Sequence, residues 1–187
     1  VDRRARPDPE PPRVSLRPFE PGDAPAVHRW FNNRRATETL VVQREGFSAE
    51  EAEDWVARAM DDSGEDRKYA ILVAGHPEPV GFTALYGLSR ETGPELGALI
   101  GDELRRSGVG RRAEALTIAK AFDEFGAHRV YGEIPAFNEA AKRTVSGLGW
   151  HHEETVAGGG DRAGEAFDLE IWAVLPDDFR RAAADVL

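Results

Sequence analysis

An α+β fold, one sheet covered by helices on both faces, is what this sequence predicts, and three observations carry the prediction. Strand-like and helix-like segments follow one another in the order β, two helices, three strands, the last of which opens a β-α-β-α-β-β run, without internal repeats. The 187 residues suit one domain with room for a sizeable core. A hydrophobic content of 41% with mean hydropathy −0.50 fits a globular chain, and no apolar run approaches the roughly 20 residues of a membrane helix.

The elements follow in order. Residues 1–13 hold four prolines among charges, a composition that buries too little apolar surface to offset ordering, so this arm is expected to be disordered. The domain is expected over 14–187. Val14 and Leu16 alternate with Ser15 and Arg17 as a first strand ending at Pro18, and Pro21-Gly22-Asp23 turns the chain. Asp23 then caps a short helix carrying Val27, Trp30 and Phe31, which runs out near Asn32 and Asn33. Ser48 and Glu51 form a capping box for a second helix, with Ala52, Trp55, Val56 and Ala59 on one stripe and a stop at 61–64.

Tyr69, Ile71 and Val73 alternate as a strand, 75–79 is a turn, and 80–88 is its hairpin partner, followed by a third strand over 96–100. From Val109 the period becomes helical, with Ala113, Leu116, Ile118 or Ala119, and Phe122 inward and Gly126 ending the helix. A short strand over 130–134 precedes a helix over 139–148 stopped by Gly149. Residues 150–156 and 167–174 form a last hairpin around a loose loop at 157–164, in which Gly158 to Gly160 is the flexible tip, and 176–186 is a terminal helix.

Composition removes several chemistries. With no cysteine there are no disulfides, thiolate zinc sites or thiol nucleophiles, which leaves carboxylates, five histidines and the backbone. A net charge of −10 argues against a nucleic-acid surface and favours cationic partners. Adjacent strand residues point to opposite faces, so His151 and His152 do not form a metal pair, and no metal site is expected. Residues 1–13 lack the apolar stretch of a secretory signal and carry no lipidation motif, so the expected compartment is the cytoplasm and no membrane partner is expected.

The informative stretch runs from Glu95 to Arg112, where a strand passes through a glycine loop directly into a helix. Glycines at 108 and 110 let the backbone come close to a ligand, while the unpaired N–H groups of the first helical turn and the macrodipole favour an anion. Arg105, Arg106, Arg111 and Arg112 surround this loop in an otherwise acidic chain, the chemistry of a diphosphate site.

Arg105-x-x-Gly108-x-Gly110 at a strand-to-helix junction resembles the acetyl-CoA signature of the GNAT N-acetyltransferases. Val14-Ser-Leu-Arg-Pro, Trp30-Phe-Asn-Asn, Asn138-Glu-Ala-Ala and Leu148-Gly149-Trp150 are similar to the RimJ/RimL-type branch, so the resemblance covers roughly residues 14 to 175. It implies a mixed, mostly antiparallel sheet that splays after its fourth strand, leaving backbone groups of Ile100 free for the pantetheine arm. It also implies acetyl-CoA as co-substrate, with the pyrophosphate on the N–H groups of Ser107, Gly108, Val109, Gly110 and Arg111. Asn138 would hydrogen-bond the arm and also cap the helix it opens.

In such chemistry an amine attacks the thioester directly, without a metal. The resemblance puts Glu95, at the start of the corresponding strand, beside the acceptor as the base, with a solvated strand-end charge as the alternative; Glu133 on the next strand is the reserve. The sequence departs from a common family pattern where tyrosine often serves as general acid: seven residues after Asn138 stands Val145. Ser146 is the substitute candidate and Tyr131 lies nearby, although a thiolate of pKa about 8.5 can be protonated by water. Asn32, Asn33 and Arg34 follow the first helix where similar enzymes touch the acceptor, and His151 is a candidate pocket residue. Acidic residues flank the expected mouth: Glu38 and Glu45 on one side, Glu153, Glu154, Asp161 and Glu165 on the other.

The resulting expectation is an acetyl-CoA-dependent N-acetyltransferase acting on a primary amine, a cationic small molecule or a protein N-terminus. The late hairpin is a candidate homodimer surface. The alternative is an acyl-CoA-binding module without turnover.

Overall fold

The computed structural model describes residues 12–41 and 46–187. Most of the arm expected over 1–13, and Glu45 of the acceptor flank, lie outside the described residues. The Arg13 carbonyl accepts the Ala74 N–H at 3.0 Å, so pairing begins one residue before the first predicted strand.

β1 (Val14–Pro18), β2 (Arg67–Val73), β3 (Gly81–Tyr86), β4 (Glu95–Ile100), β5 (Val130–Pro135), β6 (His151–Arg162) and β7 (Glu165–Val174) form one sheet in the order β1-β2-β3-β4-β5-β7-β6. Every neighbouring pair is antiparallel except β4 and β5, which run parallel and pair only at Glu95 with Tyr131. Beyond that pair the two strands part. The mixed, splayed sheet is the one expected.

The pleat sends alternate residues to opposite faces. Ala70, Phe82, Ala84 and Leu99 meet α1 (Ala24–Phe31) and α3 (Ala49–Met60) on one face, where Trp55 packs on Phe82 with ring centroids 5.0 Å apart and on Phe19 at 5.1 Å. On the other face Ile71, Val73 and Leu85 meet α4 (Val109–Asp123), while Ile134 and Val174 join α5 (Glu139–Ser146) and α6 (Pro176–Ala182) in the same layer. Thr83 and Thr117, both fully buried, join hydroxyls at 2.6 Å and stitch β3 to α4. Burial alone would raise the Asp23 carboxyl, but paired hydrogen bonds from Arg17 at 2.7 and 2.8 Å and one from the Glu20 amide hold it below the ordinary range and anchor α1 to β1.

Two elements correct the sequence reading. A single-turn α2 (Arg34–Thr37) follows α1, capped by Asn33, whose side chain accepts from the Arg35 and Ala36 amides. The loop expected over 157–164 is strand instead: β6 and β7 continue to a two-residue turn at Ala163 and Gly164, both with positive φ, the geometry that matches strand twist. Gly160 lies within the ladder rather than at its tip, and a Cβ there would fall 2.2 Å from the Phe167 ring, so its lack of a side chain makes room for an aromatic. Among the described residues no helix is long and apolar enough to cross a membrane.

Candidate active site

The parting of β4 from β5 opens a cavity of about 310 Å³. Its walls come from both strands, including Gly97, Ala98, Gly132 and Ile134, from Val145 and Asn138 on α5, and from Phe31, Trp55 and Phe82 on the opposite face. The segment from Thr39 to Val41 lies along one side. It is tied across the cavity by Arg162, which donates to the Leu40 carbonyl at 3.0 Å and stacks on Phe137 and Phe167, and by Asn138 Nδ2, which donates to Thr39 O at 3.4 Å. The Thr39–Leu40 segment and the last hairpin thus meet beside the cavity.

Glu95 lines this cavity, half-buried, with Glu133 from β5. Burial first, and then the Glu133 charge, push the Glu95 carboxyl up, while Arg90, 3.9 Å away, pulls it down. Arg90 is held in turn by the Tyr131 hydroxyl at 3.0 Å. Glu95, raised in pKa, and its neighbour Glu133 can together take up protons and attract an ammonium group.

At the other end of β4, the chain turns through 102–104 and reaches α4 by way of Ser107 and Gly108. Gly108 caps the helix at φ +85°, a left-handed conformation that a side chain strains, and Arg106 is also left-handed at φ +64°. Ser107 Oγ donates to the Leu104 carbonyl at 2.6 Å, tightening the turn. The first-turn N–H groups after Gly108 have no preceding helical carbonyl, so the helix start offers donors and positive potential to an anion. Arg105 and Arg111 are engaged with protein: Arg105 with the Arg35 carbonyl and with Glu38 at 3.4 Å, Arg111 with the Gly147 carbonyl at 3.0 Å. Ile100 ends β4 against Gly110, where a Cβ would lie 3.3 Å from its side chain.

Other predicted residues are distributed differently. Asn138 lines the cavity, and its Oδ1 caps α5 by accepting the Ala141 N–H at 3.1 Å, the capping role expected for it. Asn32 and Asn33 turn to the backbone: Asn32 exchanges hydrogen bonds with Phe47 at 2.7 and 3.1 Å, and Asn33 caps α2. Ser146 is exposed and outside the cavity, whereas Val145 lines it. His151 is exposed beside Asp178 at 3.7 Å. Of the flanking acids, Glu38 is paired with Arg105 and Glu153 with Arg129, while Glu154, Asp161 and Glu165 are exposed on the last hairpin. Among the described residues no group of three or more His, Asp or Glu side chains is arranged for a metal.

Glu114 on α4 is the cavity residue that periodicity missed. An acid between two alanines on a helix looks solvent-facing, and the available signal was its place in the alanine-rich run after the glycine loop.

A family model described as Acetyltransferase (GNAT) domain matches residues 13–151. Among solved structures, a spermidine N-acetyltransferase from Vibrio cholerae in complex with CoA and spermine superposes with a TM-score of 0.80 at 19% identity, covering 89% of this chain and 97% of that one. An acetyltransferase of the GNAT family from Bacillus anthracis gives 0.77 at 20% identity, covering 88% of this chain and 96% of the other. At these identities the likeness is one of fold. Curated protein sequences give no match.

Proposed function

The chain belongs to the GNAT acetyltransferase domain family, and from that premise we propose that it transfers an acetyl group from acetyl-CoA to a primary amine, within the RimJ/RimL-type branch. The observation that carries this reading is the cleft between β4 and β5, lined by Glu95 and Glu133, on a strand whose far end continues through the Gly108 loop into α4. The diphosphate would rest on the amides from Ser107 to Arg111, with Arg105 and Arg106 at hand, and the arm would pair with free backbone groups of β4 up to Ile100, with Asn138 beside it. The amine, delivered as an ammonium, gives up its proton to Glu95 directly or through water and attacks the thioester carbonyl. The N–C bond forms, the C–S bond breaks, the acylated nitrogen gives up its second proton to solvent, and the departing thiolate, of pKa about 8.5, takes a proton from solvent.

The acceptor is a cationic small molecule or a protein N-terminal amine, because Glu95 and Glu133 are among the three glutamates lining the cavity in a chain of net charge −10. The Vibrio cholerae structure with spermine is consistent with a polyamine. Asn32, Asn33 and His151, outside the cavity wall, would meet the acceptor only at its outer side, and β6, exposed along most of its length at the sheet edge, is the surface for a homodimer in the cytoplasm. Thiol release measured across polyamines, aminoglycosides, amino-sugar nucleotides and peptides with free N-termini tests the reading. Turnover with at least one cationic amine is expected, whereas CoA binding with no turnover on any amine identifies a binding module instead. In the same assay E95Q should lower kcat far more than it weakens CoA binding, with partial recovery at alkaline pH.

A further inference from the structure

Helix α4 returns antiparallel to β4, as the parallel β4-α4-β5 connection requires, so distance along the helix converts into distance along the cleft. Gly110 lies against Ile100. Glu114 is one turn further on, a rise of about 6 Å, and a strand advances about 3.3 Å per residue, so the Glu114 side chain reaches the cleft beside Ala98. Glu95 lies three residues beyond Ala98, on the order of 10 Å away. Glu114 therefore occupies the middle of the cleft, between the anion-binding loop and the proposed base.

Its Oε2 is closed off from solvent and has no hydrogen-bond partner, although the side chain lines the cavity. The Trp150 Nε1–H, in the wall of the same cavity, is likewise enclosed and unpartnered. A buried polar group without a partner is an uncompensated desolvation cost, and two such groups in one cleft mark where the polar atoms of a ligand belong.

We propose that Glu114, as a neutral carboxylic acid, donates a hydrogen bond to an amide carbonyl of the CoA arm in mid-cleft, with the Trp150 Nε1–H as a second donor, making Glu114 a positioning residue that renders cofactor affinity pH-dependent. The inference rests on the reading of the cleft as the CoA site. Burial alone pushes the Glu114 carboxyl up to about 8. The ionisable side chains sharing its cavity are Tyr86 from β3, Glu95 from β4 and Glu133 from β5. Charged residues on the other elements packed against α4 have partners of their own: Arg17 on β1 binds Asp23, and on α5 Lys142 binds Glu139 and Glu170. Arg143 completes the charges of α5, while Arg111 and Arg112 lie on α4 itself. Below about pH 8 the carboxyl is a donor; above it, an anion faces the carbonyl oxygen and the bond is lost.

Calorimetric titration of the full chain with CoA from pH 6.5 to 9 tests this, with melting temperatures recorded for each variant. For the unsubstituted chain the Kd should be flat at low pH and rise about tenfold through pH 8, the size of one hydrogen bond. E114Q, which keeps an N–H donor, should bind at the low-pH level throughout, while E114L should bind about tenfold more weakly without pH dependence, its loss in turnover falling on the KM for acetyl-CoA. The same pH-dependent rise in E114Q overturns the proposal, as does an E114L variant with unaltered Kd and collapsed kcat, the signature of a proton donor. If CoA binds the unsubstituted chain at no pH, the reading of the cleft fails and the inference with it; CoA binding with identical profiles in parent and variants overturns Glu114 alone.

Discussion

Glu95 shows how a single side chain acquires its chemistry from neighbours distant in sequence. Burial and the Glu133 carboxylate raise it and Arg90 lowers it, so its protonation is set by β4, β5 and the loop before β4 meeting where the two strands touch. A base works in its deprotonated form, so the acidic limb of the kcat/KM profile should lie above the ordinary carboxylate value of 4.5. E133Q removes a repelling charge and should move that limb to lower pH, whereas R90A removes an attracting one and should move it up; a limb unmoved by both would take the titration away from Glu95. Gly108 makes a second demand at this scale. Its φ of +85° at the start of α4 strains any residue with a Cβ by roughly 1–2 kcal/mol, while the space around it is open. G108V should therefore cost only a few degrees of melting temperature but weaken CoA binding more than tenfold, because its branched side chain stands where the diphosphate must approach the backbone. Calorimetry and a melting curve read the two effects separately.

At the scale of elements, α4 does two jobs. One side seals the sheet with Val109, Ala113, Ile118 and Phe122, and Glu114 opens another side to the cavity, so a simple apolar stripe describes this helix poorly. The Thr83–Thr117 pair fixes how α4 lies on β3, and the Thr117 hydroxyl also bonds the Ala113 carbonyl at 2.9 Å. T117V leaves a fully buried hydroxyl on Thr83 without its partner and should cost about 1–3 kcal/mol, whereas replacing both with valine should cost less than the sum of the single changes. Denaturant titration of the four proteins checks this, and simple additivity would mean that the pair is not coupled. The last hairpin teaches a different lesson. Three consecutive glycines have the composition of a loop, yet Gly160 pairs with Phe167 and admits its ring, and the Gly158 N–H donates to the Asp168 carboxylate at 2.8 Å where β6 bulges between Val156 and Gly160. Cross-strand packing, which composition does not encode, decided that segment.

The whole molecule carries a net charge of −10, and the question is how that charge meets the acceptor. Pairing of Glu38 and Glu153 with arginines quiets part of the mouth, while Glu95 and Glu133 remain within the cavity. Exposed charge is screened within a Debye length of about 8–10 Å at ordinary salt, and charge inside a cleft is screened less. The KM for a cationic acceptor should therefore rise modestly with ionic strength, and that for an uncharged amine should stay flat. A preference for amino-sugar nucleotides, with their anionic diphosphate, would overturn the cationic acceptor and leave acetyl transfer standing.

Local signals were enough for the order of strands and helices, the capping box at Ser48 and the glycine loop, because periodicity, capping and turn chemistry act within a few residues. The family resemblance named Glu95, Ser146 and the two asparagines, but which way a side chain faces depends on neighbours: Glu95 lines the cavity, Ser146 is exposed outside it, and Asn32 and Asn33 are spent on backbone. Glu114 is the converse, an unremarked acid until β4, β5 and α5 enclose it. Burial and charge coupling are sums over contacts between distant segments, so the titration of Glu114, the Glu95–Glu133 pair and the cavity that unites them came into being only with the tertiary structure.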